Sequence, residues 1–269
     1  MRIIIGISSQ YSVLNTQYKL IMGFFDFLKS KSSTDVQIDL SQLAVDLHSH
    51  LIPGIDDGAK TLEDSIQLII ELKALGFHKI ITTPHIMSDY YRNTPEIISS
   101  GLFTLRNELQ NRNIEIEIEA AAEYYYDEYF LELLKTDNLL TIKNEFLLFE
   151  LSYLTKPSGI DEVIFQIQTK GLKPLLAHPE RYPFLKIEDY TKYKEAGCLF
   201  QMNILSTTGH YGEQVKNTAN QLIDFGYIDF LATDLHHMHH IHLIKKNALK
   251  NEKLLDLINF GSLRNRELF

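Results

Sequence analysis

The chain is poor in cysteine, in basic charge and in long apolar runs. Cys198 is its only cysteine, which excludes a disulfide framework and any thiolate zinc cluster and suits a reducing cytoplasm. It reads as a small buried residue opening a strand, Cys198–Met202. Lysine and arginine number 26 against 35 acidic residues, a formal net charge of −9. That balance argues against broad nucleic-acid binding, which relies on a basic surface to release counterions. No apolar run approaches the ~20 residues that cross a bilayer. Internal repeats and low-complexity tracts are absent as well.

What remains is an ordinary globular composition, 45% hydrophobic and 23% charged. The 269 residues allow one barrel-sized domain or two smaller ones, and evenly spaced strands favour one. Residues 1–42 read as an N-terminal extension and linker, partly disordered, leading into a domain over 43–269. Met1–Ile21 lacks a sustained apolar region with a small-residue cleavage site, so it does not read as a signal peptide. Met22-Gly23-Phe24-Phe25-Asp26-Phe27-Leu28 reads as a second translation start, and its aromatic turn as a weak membrane-surface or partner-docking helix in the alternative. Lys29–Asp35 is a polar linker.

Six short apolar runs, Leu43–Leu47, Lys79–Thr83, Ile114–Ala122, Phe146–Phe149, Pro174–Ala177 and Ile228–Thr233, have the character of buried parallel strands. Between them lie helical stripes. Thr61-Leu62-Glu63-Asp64 forms a capping box ahead of the helix that ends near Gly76. Further helices are predicted at about Thr94–Arg112, Asp127–Leu134, Ser158–Lys170, Ile187–Ala196 and Gly212–Phe225. The β-α unit repeats about seven times. With right-handed crossovers, such a string makes an open sheet or a barrel, and seven units favour an α/β barrel.

Each run ends in an imidazole or a carboxylate: His48 and His50, His85, Glu123, Glu150, His178, and Asp234 with His236. Parallel strands gather their C-terminal ends on one face, where α/β enzymes build their sites. His48 and His50, two apart, project to one side of a continuing strand. Asp56-Asp57-Gly58 follows in a loop, where an Asx turn is the plain alternative. A carboxylate ending an apolar run, as at Glu123 and Glu150, is costly to bury unless it is paired or binds a cation. The set therefore reads as a polynuclear metal centre.

The stretch Asp46-Leu47-His48-Ser49-His50-Leu51-Ile52-Pro53-Gly54-Ile55-Asp56-Asp57-Gly58 resembles the opening motif of the polymerase-and-histidinol-phosphatase superfamily. Within it, the chain is similar to the manganese-dependent tyrosine-protein phosphatases of capsule and exopolysaccharide operons. Thr83-Pro84-His85, Ala122-Glu123-Tyr124, Phe149-Glu150, Ala177-His178-Pro179-Glu180-Arg181-Tyr182 and Thr233-Asp234-Leu235-His236 match the later motifs in order, over roughly residues 43 to 260.

That resemblance implies a distorted seven-unit barrel of the TIM type holding three metals. The first would take His48, His50, Glu123 and Asp234. The second would take Glu123, Glu150 and His178, and the third Asp57, His85 and His236. Manganese is the implied metal; nitrogen and oxygen donors without sulfur also suit iron or zinc. Glu123 and His178 would carry the chemistry together with Arg181, placed to fork onto phosphate oxygens, a pair with Glu180 being its alternative. The implied reaction is direct hydrolysis of phosphotyrosine by a metal-bridged hydroxide. The implied substrate is the tail of a membrane tyrosine autokinase. A cysteine-dependent route is disfavoured because Ile204 stands six positions after Cys198, where such an enzyme needs arginine.

Several features stay open on sequence. His237 rivals His236 as a ligand, while His239, His240 and His242 read as local. Arg92 reads as surface, and Tyr124-Tyr125-Tyr126 as core rather than as a substrate platform. A small-molecule phosphoesterase of the histidinol-phosphatase type, or a catalytically silent metal-binding regulator, are the alternatives in function.

Overall fold

The computed structural model describes residues 37–269; the readings made for residues 1–36 lie outside them. Packing begins earlier than Leu43, because Ile38 and Leu40 are buried and the Ile38 amide donates to the Leu249 carbonyl at 2.8 Å. The last residues of the expected linker therefore belong to the domain's core.

Among the described residues nine strands are interspersed with helices: β1 (Val45–Asp46), α1 (Leu62–Ala74), β2 (Lys79–Thr82), β3 (His85–Ile86), α2 (Pro95–Asn111), β4 (Glu117–Ala120), β5 (Glu123–Tyr125), α3 (Glu128–Leu133), β6 (Phe146–Glu150), α4 (Ile160–Thr169), β7 (Lys173–Ala177), α5 (Ile187–Glu195), β8 (Leu199–Asn203), α6 (Glu213–Asp224), β9 (Phe230–Ala232), α7 (Met238–Lys246) and α8 (Glu252–Phe260). All pairings between them are parallel, in a sheet ordered β1-β2-β4 and a second ordered β3-β5-β6-β7-β8-β9. The fold is mixed α/β built on parallel sheets.

The two sheets follow one another along the same chain paths. Pro84, which has no amide hydrogen to give a ladder, separates β2 from β3. Ala121 and Ala122 separate β4 from β5. The Ala121 amide still reaches the Thr82 carbonyl at 2.9 Å, and the Glu123 amide reaches Pro84 at 3.1 Å. The expected single strand Ile114–Ala122 is thus shorter and broken. Ile114 and Ile116 are only half-buried and lack a ladder partner, so pairing starts at Glu117. Glu123 opens β5 rather than ending a run, in register with His85. Beyond β1 and β9, Ser49 and Leu235 form a parallel bridge.

Both faces of the strands are buried, as parallel sheets require. Phe146, Leu148, Leu175, Ala177, Phe230 and Ala232 meet Val45, Leu47 and Ile81 on one face. Leu147, Phe149, Leu176, Phe200, Met202 and Leu231 face the helices. The expected capping box holds α1: the Asp64 amide donates to Thr61 Oγ1 at 3.1 Å and the Thr61 amide to Asp64 Oδ2 at 3.0 Å. Among the described residues no helix is long and apolar enough to cross a membrane.

Candidate metal centre

The strand ends converge. His48 Nε2 lies 3.1 Å from Glu123 Oε2 and 3.5 Å from Asp234 Oδ1. His50 Nε2 lies 3.4 Å and 3.5 Å from the same two oxygens and 3.3 Å from His48 Nε2. Four donors held about 2.1 Å from a common centre sit roughly 3.4 Å apart at the corners of a tetrahedron. These five separations therefore outline a cage of cation size.

The other expected ligands adjoin it. His178 Nε2 is 2.9 Å from Glu123 Oε1 and 3.9 Å from Glu150 Oε2. His85 Nδ1 stands 3.1 Å from both Glu123 Oε2 and Glu150 Oε1, and its Nε2 is 3.5 Å from Asp57 Oδ1. His236 Nε2 is likewise 3.5 Å from Asp57 Oδ1. Three sets have their donor atoms within 4.8 Å of one another: His48, His50 and Glu123; His85, Glu123 and Glu150; and His50, Asp57, His85 and His236. All nine residues singled out by sequence lie in this one cluster. The grouping differs in detail, because both ring nitrogens of His85 turn inward.

A second layer orients the rings. His48 Nδ1 meets Gln201 Oε1 at 2.7 Å, and His50 Nδ1 meets Asp56 Oδ2 at 2.8 Å. His178 Nδ1 meets the Tyr182 hydroxyl at 3.3 Å, and His236 Nδ1 meets the Asp234 carbonyl at 2.9 Å. Each contact leaves Nε2 facing the centre, the arrangement found behind metal-bound histidines. Asp56 does more than the Asx turn it makes through the Gly58 amide, 3.0 Å from Oδ1. Two expected ligand positions, His178 at φ 33° and Asp234 at φ 50°, hold left-handed backbone that costs energy in a residue bearing Cβ, and such strain gathers at functional sites.

The electrostatics call for cations. Burial alone would push the Glu123 and Asp234 carboxyls up, yet facing imidazoles hold both well below the ordinary range: His48 and His85 at Glu123, His48 and His236 at Asp234. Burial likewise opposes a charged ring at His48, His50 and His85. Neighbouring carboxylates overcome it, chiefly Glu123 at His48 and His85, and Asp56 at His50, so all three titrate above their usual value. Without a metal, protons must stand in for the missing positive charge. His85 Nδ1 is buried and close to two carboxylates but makes no hydrogen bond, as a nitrogen aimed at an ion would be. The donor set fits divalent cations that accept nitrogen and oxygen.

Other residues fall as their surroundings dictate. Arg181 does not pair with Glu180; its Nη1 donates to Asp234 Oδ2 at 3.2 Å. Glu180 is buried and accepts from Ser206 Oγ at 2.6 Å and the Asn203 amide at 3.0 Å. His236 faces the cluster, whereas His237 is exposed at the start of α7. His240 is buried, and that burial with its imidazole neighbours lowers it to about 3. Tyr124 packs in the core, and Arg92 is exposed, donating to the Ser88 carbonyl at 2.6 Å. Cys198 is buried, which pushes its thiol up and leaves it inert. Sequence reasoning missed Gln201, Tyr91, whose ring stacks on His85 at 5.6 Å, and Tyr153 and Tyr211, which flank Arg181. No local signal marks them.

Comparison with known proteins agrees with this geometry. The tyrosine-protein phosphatase YwqE of Bacillus subtilis (strain 168) is 28% identical over 197 residues, covering 72% of this chain and 78% of YwqE. The tyrosine-protein phosphatase CpsB of Streptococcus agalactiae serotype V is 28% identical over 236 residues, covering 84% of this chain and 94% of CpsB. Among solved structures, a chain from the work on YwqE from Bacillus subtilis and CpsB from Streptococcus pneumoniae, described as metal-dependent tyrosine phosphatases, superposes with a TM-score of 0.72 at 25% identity. It covers 83% of this chain and 90% of that one. Residues 44–249 match the family described as capsular polysaccharide synthesis, CpsB/CapC, and the chain belongs to that family.

Proposed function

We propose that this chain is a metal-dependent protein-tyrosine phosphatase of capsule or exopolysaccharide synthesis, its catalytic domain a distorted seven-unit barrel that includes Ile38 and Leu40 ahead of residues 43–269. The observation that carries the reading is the cage formed by His48, His50, Glu123 and Asp234, with donor separations of 3.1 to 3.5 Å. We assign three ions, manganese first and iron or zinc as substitutes. His48, His50, Glu123 and Asp234 would hold one, Glu123, Glu150 and His178 a second, and Asp57, His85 and His236 a third. His85 Nδ1 also faces the second set. When bound, divalent cations neutralise phosphoryl charge and acidify water to a pKa of roughly 7.

The chain's own groups do the rest. Arg181 stays protonated, as its neighbours Tyr153 and Asp234 outweigh its burial, and its edge can fork onto phosphate oxygens. Glu123 and His178, 2.9 Å apart, are proposed to border the phosphorus under attack. A departing phenolate, with a pKa of about 10, needs little proton help. The substrate is proposed to be the phosphotyrosine tail of a membrane tyrosine autokinase, met in the cytoplasm.

The test is turnover of p-nitrophenyl phosphate, a phosphotyrosine peptide and histidinol phosphate by protein stripped with chelator and reloaded with Mn2+. Peptide turnover that needs metal and is abolished by His178→Ala is expected. Activity on histidinol phosphate alone would reject the tyrosine-phosphatase reading. Activity that survives both chelation and His178→Ala would reject metal hydrolysis altogether.

A further inference from the structure

Three loops each lend one side chain to a stack beside the metal centre. Tyr153 follows β6, Arg181 lies in the turn after β7, and Tyr211 lies beyond β8 between Gly209 at φ 83° and Gly212 at φ 100°. The Arg181 guanidinium carbon is 4.6 Å from the Tyr153 ring centroid and 4.5 Å from that of Tyr211. Two rings thus crowd the guanidinium within cation–π distance. One edge nitrogen donates to Asp234 Oδ2. The side chain is 24% exposed, so donors remain within reach of solvent. Arginine carries five side-chain N–H donors. This one makes a single hydrogen bond and is held by stacking.

The clamp is itself anchored. Tyr153 stacks on Tyr182 at 5.6 Å, and Tyr182 is tied to the Leu151 amide and the Ala177 carbonyl through its hydroxyl. The Tyr153 hydroxyl stands 3.3 Å from His178 Nε2 and 3.5 Å from Glu150 Oε2. The stack is thereby fixed relative to two expected ligands. A flexible arginine would have to be ordered at each binding event, whereas one already packed against two rings presents its donors at a lower entropic cost.

We propose that Tyr153 and Tyr211 are positioning residues that hold Arg181 edge-on as the phosphate-binding arm. The inference rests on the phosphatase reading above. Phosphate ester recognition then depends on two rings that act through Arg181.

The experiment measures inorganic phosphate binding to the Mn2+-loaded protein by calorimetry, alongside its competitive inhibition constant and the KM and kcat for p-nitrophenyl phosphate. Tyr211→Ala and Tyr211→Leu are each expected to weaken phosphate binding on the order of tenfold, the loss of one cation–π face, and to raise KM more than they lower kcat at unchanged metal content. Leucine keeps apolar bulk without a π face, so it serves if the alanine variant fails to fold. Tyr211→Phe should return phosphate affinity to within about twofold, since the ring and not the hydroxyl makes the contact. Arg181→Ala separates the two layers of argument. If it abolishes phosphate binding while Tyr211→Leu leaves it unchanged, the clamp is wrong and the arm stands. If Arg181→Ala also leaves binding unchanged, Arg181 is not the phosphate arm and both readings of it fall.

Discussion

Asp56→Asn tests the layer behind the proposed metal ligands. The carboxylate serves three donors: His50 Nδ1 at 2.8 Å and the His85 amide at 3.3 Å through Oδ2, and the Gly58 amide at 3.0 Å through Oδ1. Asparagine has the same outline but only one acceptor oxygen. If that oxygen stays with Gly58, its NH2 faces His50 Nδ1 and the His85 amide. A hydrogen bond to His50 can then survive only if the imidazole proton moves to Nε2, the nitrogen that faces the cage. If the amide flips, the Gly58 amide loses its acceptor and the loop bearing Asp57 loosens. Either way the metal meets a weaker ligand, and the negative charge that raises ring basicity is gone. Removal of such a partner costs roughly 10- to 100-fold in metal affinity, or about 1.4–2.8 kcal/mol. Titration of Mn2+ against a competing chelator, with stoichiometry from elemental analysis, measures it. An Asp56→Asn protein that melts normally and binds the same number of ions with affinity within twofold would refute the reasoning, and would reduce Asp56 to a turn residue.

Two further outcomes follow from the geometry. His48, His50 and His85 titrate above the ordinary imidazole value of 6.5 in the metal-free protein. Their stabilising contribution is complete below 6.5 and is lost as pH rises through the raised folded values. Melting scans with and without chelator should therefore show metal-free protein weakening toward alkaline pH while loaded protein does not, with proton release on metal binding; parallel curves would contradict this. Gly58→Ala would place a Cβ 2.2 Å from the His50 carbonyl oxygen, a backbone atom that cannot swing aside. A loss of about 1–3 kcal/mol is expected from such crowding, read by melting, together with fewer bound ions as Asp57 is pushed off His85 and His236.

Much of this centre is legible in the sequence because strand ends are chemically marked. A histidine or carboxylate closing an apolar run, as at Glu150, His178 and Asp234, has few neutral explanations. Glu123 was legible as a site residue but misplaced within its strand, since the break at Ala121 and Ala122 follows from register against Pro84 and leaves no local mark. Arg181 was visible, yet its partner was not. Sequence adjacency favours Glu180, whereas the tight turn after β7 sends the two side chains apart, to Asp234 and Ser206. Gln201, Tyr153 and Tyr211 escape entirely, because each acquires its role from a neighbour brought close by tertiary packing. Asp56 shows the limit of local rules. The Asx turn that local rules offer as the plain alternative is there, and the second Asp56 oxygen belongs to a histidine that the turn itself cannot reveal.

Asn265 spans the joint between the first and last strands. Its Nδ2 donates to the carbonyls of Val45 at 3.1 Å and Leu231 at 2.6 Å, and its Oδ1 accepts from the Leu231 amide at 3.1 Å. Val45 lies 220 positions earlier. A nascent chain that has already displayed His48 and His50 must therefore be extended as far as Asn265 before that joint can be fastened. The clustered side chains near β1 and β9 would consequently be held in place only once Asn265 has been made; a shorter translation intermediate would present looser donors.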